Sequence, residues 1–138
     1  MLEIMQSCDC CRIGLKDKDS VYILPLNFGY EEKSGKLTLY FHGASEGKKI
    51  DLIKQQNTAS FEMDTKHQLV EADVACSYSY LYQSIMGKGK ISLVDDPEEK
   101  INGLECVMLH YSNNNTWKFN EEVLKRVAVI KIEVTEWS

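Results

Sequence analysis

Arginine and proline are scarce in this 138-residue chain: Arg12 and Arg126 are the only arginines, Pro25 and Pro97 the only prolines. The net charge of −5 argues against general nucleic-acid binding, which needs a basic excess. No apolar run is long enough to cross a bilayer as a helix. The opening MLEIMQSCDCCR lacks a basic stretch followed by an apolar one. No secretory signal is therefore expected, and the cytoplasm is the expected compartment. No G-x-G-x-x-G occurs, which excludes a resident dinucleotide fold of that type. Repeats and low-complexity segments are absent. The length suits one domain, residues 1–138, and is short for two.

The five cysteines are Cys8, Cys10, Cys11, Cys76 and Cys106. An odd number in an unsecreted chain argues against a disulfide framework. The CDCC cluster lacks the paired spacing of structural zinc and has no second pair downstream, so no metal site is expected. Reduced, partly buried or redox-sensitive thiols are the expectation.

What is present is short-period alternation. Residues 20–30 and 36–42, either side of the turn KSGK, read as a β-hairpin. In its second strand Leu37, Leu39 and Phe41 share one face, and Thr38, Tyr40 and His42 the other. Residues 58–63, 69–76 and 84–94 supply three more strands. In the last of these Gly87 and Gly89 predict a bulge or sharp bend. Residues 95–111 form the clearest helix. Asp96 suits its N-cap and Pro97 its first position, while Glu98 and Glu99 suit its first turn. Ile101, Leu104, Val107 and Met108 make its apolar stripe. Residues 112–117 read as a loop and 126–137 as a closing strand. About six strands and two helices predict a mainly β fold, a small antiparallel barrel.

The stretch HGASEGKKIDLI predicts a strand running into a short helix capped by Ser45. The first turn of a helix offers free N–H groups and partial positive charge, which suits a phosphate. Gly43, Ala44 and Gly47 allow close backbone approach, and Lys48 and Lys49 add charge. Lysines there oppose the helix dipole, and a bound anion would account for them. An ordinary solvated turn is the plainer alternative. Tyr40 and His42 end at this turn, and Pro25 and Gly29 interrupt the partner strand. A planar heteroaromatic with a phosphate tail would fit such a mouth, as would a simply packed barrel face.

CRIGLKDKDSVYILPLNFGY, then LTLYFHGASEGKKIDLI, FEMD and YQSIMGKGKI, resembles the nitroimidazole-resistance flavoproteins. These lie within the wider group related to pyridoxamine 5′-phosphate oxidase, and the likeness runs from about residue 11 to the last strand. It implies a six-stranded antiparallel split β-barrel of the FMN-binding type and a homodimer, with one FMN in each of two interface clefts. By the same likeness, Pro25, Leu26, Asn27 and Phe28 lie along the isoalloxazine ring. Tyr40, His42, Gly43 and Ala44 lead to the ribityl chain and phosphate, which Lys48 and Lys49 hold. Gln83 and Ser84 match a pair that touches the flavin, with Ile85 following, and Trp117 stands at one side of the cleft. The additional arginines and the Arg-x-His of a true pyridoxamine phosphate oxidase are missing, so vitamin B6 oxidation is not expected.

The resemblance makes a reductase the first expectation. It would take electrons from a reduced nicotinamide, bound transiently, or from a partner flavoprotein, and pass them to a small acceptor such as a nitroaromatic. His42 is a candidate proton donor, or else a residue that packs on the flavin. The alternative is a non-catalytic flavin- or haem-binding protein, with His42, His67 and His110 as the available axial ligands. Tyr78, Tyr80 and Tyr82 share one strand face, which suits self-association.

Overall fold

The computed structural model describes residues 1–112 and 118–138. Most of the expected loop at 112–117, with the site residue Trp117, lies outside the described residues. The seven strands are β1 (Cys11–Asp17), β2 (Ser20–Leu26), β3 (Phe28–Lys33), β4 (Lys36–Ala44), β5 (Thr58–Val70), β6 (Ser79–Leu93) and β7 (Val127–Trp137). Among the described residues four α-helices accompany them: α1 (Leu2–Ser7), α2 (Lys48–Lys54), α3 (Pro97–Tyr111) and α4 (Glu121–Arg126). The strands form one antiparallel sheet in the order β2-β1-β5-β6-β7-β4-β3.

β2 and β3 lie at opposite margins of this sheet, yet only Asn27 separates them in sequence. Leu26 pairs with Cys11 at one margin, and Phe28 pairs with Phe41 at the other. The chain itself therefore joins the margins and curls the sheet into a barrel. Pro25 sits on the marginal strand, where its missing N–H costs least. This corrects the single strand expected over residues 20–30. Its first half pairs with β1 across a two-residue turn at Lys18 and Asp19, and only its second half pairs with β4. The strand count rises from six to seven. Residues 69–76 are corrected too. Only Leu69 and Val70 are strand, and the rest forms the tip of the β5–β6 hairpin, with a 3-10 turn at Ala75–Ser77.

The barrel interior is lined by Ile13, Leu15, Leu39, Phe41, Phe61, Met63, Ile85, Ile91 and Ile130, all buried. Each such side chain contributes roughly 1.5–3 kcal/mol on leaving water. Met5 of α1 and Ile50, Leu52 and Ile53 of α2 join the same core. A second, smaller core lies under α3, where Tyr40 and Val129 meet Val94, Leu104 and Val107. α3 begins as its sequence predicts, with Pro97 first and the Asp96 carboxylate accepting from Glu99 N at 3.1 Å. It packs so closely on β3 that a Cβ at Gly29 would overlap the backbone of Cys106 and Val107. The bulge expected on β6 falls instead on its neighbour: Lys88 pairs with Glu136 and Gly89 with Val134, so Thr135 of β7 is the extra residue, opposite the glycine pair. Among the described residues no helix is long and apolar enough to cross a membrane.

Candidate functional site

The end of β4 is where the sequence places a ligand. His42, Gly43 and Ala44 pair with Val129, Ala128 and Val127 of β7, so their backbones are held by the ladder. The chain then turns through Ser45 and Glu46 into α2. Gly47, not Ser45, occupies the N-cap, with φ at +129° and no side-chain cap. Only glycine adopts that backbone freely, so Gly47 sets the direction in which α2 leaves.

The two lysines at the start of α2 diverge. Lys48 turns away to Asp17, Nζ to Oδ2 at 2.9 Å, and lies 4.8 Å over the Tyr22 ring. Lys49 folds back over β4, and its ammonium fills the space where a Cβ on Gly43 would stand. The expected basic pair is thus one lysine, not two. Lys49 forms no ion pair among the described residues. Its charge is felt at His42, which is held below the ordinary imidazole range, first by burial and then by Lys49. A neutral imidazole and an unpaired ammonium so share one strand end.

Asn27 lies one residue beyond the Phe28–Phe41 pair, at the level of His42. Pro25 and Asn27 are exposed and Leu26 half-buried. Three expected ligand side chains are committed elsewhere. Phe28 is fully buried, its ring 4.3 Å from that of His110. Tyr40 is buried beneath α3, its hydroxyl donating to Glu31 at 3.3 Å and Glu99 at 3.4 Å. Burial, then those carboxylates, push the Tyr40 phenol up. Ile85 is fully buried in the barrel core. The β-alternation that places Tyr40 beside His42 is real, but their shared face is covered by α3 at Tyr40 and open at His42.

Gln83 and Ser84 are accessible, yet far from His42 within one chain. His42 pairs with Val129, whereas Gly87 pairs with Trp137, and Gln83 lies four residues further along β6. Eight residues of β7 separate the two levels, roughly 26 Å of strand.

No sequence pattern announces the clasp around residues 6–9. His110 Nε2 meets Cys8 O at 2.7 Å, and Tyr111 donates to Asp9 O at 2.5 Å while accepting from Phe28 N. A carbonyl partner requires the proton on Nε2. His110 Nδ1 is then a bare, buried nitrogen with no partner. The cysteines in this region are protected thiols. Burial, then neighbouring carboxylates, push Cys8 up to about 11, and burial raises Cys11 as well. The redox-sensitive reading finds no stabilised thiolate at either residue. The arginines are also engaged: Arg12 with Glu62 and Asp64 at 3.1 and 3.4 Å, Arg126 with Glu122 at 3.9 Å.

A family model described as pyridoxamine 5′-phosphate oxidase matches residues 1–138. The chain belongs to this family. Within it, the structure is similar to a candidate 5-nitroimidazole antibiotic resistance protein from Bacteroides thetaiotaomicron. Identity is 32% over 99% of this chain and 78% of the other, with a TM-score of 0.84. The FAD and haem binding protein of Mycobacterium smegmatis shares the fold at 14% identity, covering 96% of this chain and 65% of the other, with a TM-score of 0.81. A NimC/NimA family protein from Clostridium acetobutylicum does so at 17%, over 96% and 76%, with a TM-score of 0.60. No curated protein matches the chain.

Proposed function

We propose that this family member binds FMN as a homodimer and passes electrons from a reduced nicotinamide, or a partner flavoprotein, to a small planar acceptor such as a nitroaromatic. The observation that carries the reading is the Lys49 ammonium, unpaired and seated over Gly43 at the open end of β4. An uncompensated cation beside exposed backbone and a neutral imidazole suits a phosphate dianion. Family membership and the fold shared with the FAD and haem binding protein of Mycobacterium smegmatis support a flavin as the cofactor class.

Two chains are needed because the two halves of the expected cleft, His42 to Lys49 and Gln83 to Ser84, stand at different ends of the sheet. A second copy brings the Gln83 end of one chain to the Lys49 end of the other. The β5–β6 hairpin supports this arrangement, since Leu69, Tyr78, Tyr80, Leu81 and Tyr82 leave it strongly apolar and exposed.

FMN, when bound, supplies the electron transfer. Lys49 neutralises the phosphate, and Asn27 offers an amide to the ring edge. His42, held neutral, exchanges a proton at the acceptor. The apolar hairpin of the second copy keeps water from the cleft.

The test is direct. Protein purified, or reconstituted with excess FMN, should carry flavin, bleach under NADH or NADPH, and recover its colour on adding a nitroimidazole. Flavin that never bleaches would make it a binding protein. A Soret band would replace flavin by haem. No flavin after reconstitution would overturn the reading entirely.

A further inference from the structure

A pocket of about 210 Å³ opens where α2, α3 and α4 converge on the start of β7. Its floor is apolar, made by Ile50, Leu93, Val94 and Val129. Its polar lining is Ser45, Lys54, Lys100, Lys125 and Asp95. Lys49 is not part of it.

Lys100 builds this pocket. Its ammonium donates to Leu124 O at 2.6 Å and Val127 O at 3.0 Å, tying α4 to the first residue of β7. Both acceptors are neutral carbonyls, so the charge stays uncompensated. Lys54 and Lys125 likewise lack an acidic partner within ion-pair distance among the described residues, and Asp95 lacks a basic one. Three ammonium groups and one carboxylate leave the lining with two positive charges. In a chain of net charge −5, that concentration of one sign opposes the overall field. The like charges also repel one another, a cost that a bound dianion removes.

We infer that this pocket is a separate anion site for a small phosphate monoester. The phosphate dianion matches the lining charge, the Ser45 hydroxyl is placed as a further donor, and the apolar floor takes a short organic portion. The inference is independent of the flavin reading, because it uses none of the residues assigned to FMN.

The test titrates the full-length protein with inorganic phosphate and with phenyl phosphate at constant ionic strength, following heat of binding and melting temperature. The Lys54→Gln/Lys125→Gln double variant runs alongside, and flavin content is measured on both proteins. Both substitutions are on exposed side chains, and a variant melting curve matching the parent's checks that it is folded. Saturable binding in the parent, tighter for phenyl phosphate and weakened at least tenfold in the variant at equal flavin content, is expected. A bound monoester should raise the melting temperature of the parent alone. Absence of saturable binding in the parent would overturn the inference. So would equal binding by the variant, or loss of flavin in the variant, which would make the pocket part of the flavin site. A parent that takes phosphate but no flavin would leave this site standing and remove the function proposed above.

Discussion

The Lys49 ammonium occupies the volume that a β-carbon on Gly43 would fill. One residue is glycine so that the other can lie across the strand. Gly43→Ala should therefore push Lys49 aside without unfolding the barrel. Loss of a charge-assisted contact of about 1.5–3 kcal/mol weakens FMN binding roughly tenfold to a hundredfold. In a Lys49→Ala background the same glycine change should add little. A flavin titration of the four-protein cycle measures the coupling, and full additivity would show that the contact plays no part.

Lys48 and Lys49 should separate experimentally. Lys48 is engaged with Asp17 and Tyr22 on the barrel's far side of the turn. Lys48→Ala should leave both flavin affinity and melting temperature close to the parent's, since an exposed pair of this kind contributes little. Lys49→Ala should lose affinity as Gly43→Ala does. Equal losses from the two variants in a binding titration would restore the paired-lysine reading.

His42 supplies a pH signature. Its folded-state proton affinity is depressed relative to the ordinary value of 6.5, by burial and then by Lys49. The unfolded chain therefore binds that proton more readily. Stability from His42 is present above about 6.5 and is lost as pH falls through the lowered folded value. Lys49→Gln removes one cause and should move the His42 titration upward, read by proton NMR of the imidazole. A titration unmoved by that change would disconnect the two side chains.

The α3 interface tests the buried tyrosine. Tyr40→Phe keeps the ring and removes a hydroxyl shared by Glu31 and Glu99, for a cost of about 1 kcal/mol in chemical denaturation. FMN affinity should not change, because the ring faces the helix. Gly29→Ala should cost at least about 3 kcal/mol, since the obstruction is the α3 backbone and cannot rotate away. Tyr40→Phe with weakened flavin binding would put the tyrosine back in the site.

Much of this could be read from the residues. The alternation through Leu37, Leu39 and Phe41 and the Asp96–Pro97 helix start are local patterns, and local rules governed them, whereas the bulge expected at Gly87 and Gly89 falls across the ladder at Thr135. Pro25 and Gly29 signalled an interruption, but the division at Asn27 into two strands with different partners was not legible. What divides them is which neighbour each half finds, and that is a long-range property. β1 escaped notice because Gly14, Arg12 and Lys16 dilute its apolar positions, although Ile13 and Leu15 are fully buried. At the site, spacing correctly brought His42, Gly43 and Lys49 to one turn. Spacing had no means of showing that Tyr40 lies under a helix some sixty residues later in sequence, or that Lys48 points to Asp17.

The placement of β7 between β6 and β4 has a consequence for synthesis. The strand that seals the sheet is the last of the seven to leave the ribosome. Until Val127–Trp137 emerges, β4 and β6 each present a bare row of amides and carbonyls to whatever extended chain is nearby. Nascent chains close together on one messenger would be each other's nearest candidates, so crowded translation should favour tangled products over released, closed barrels.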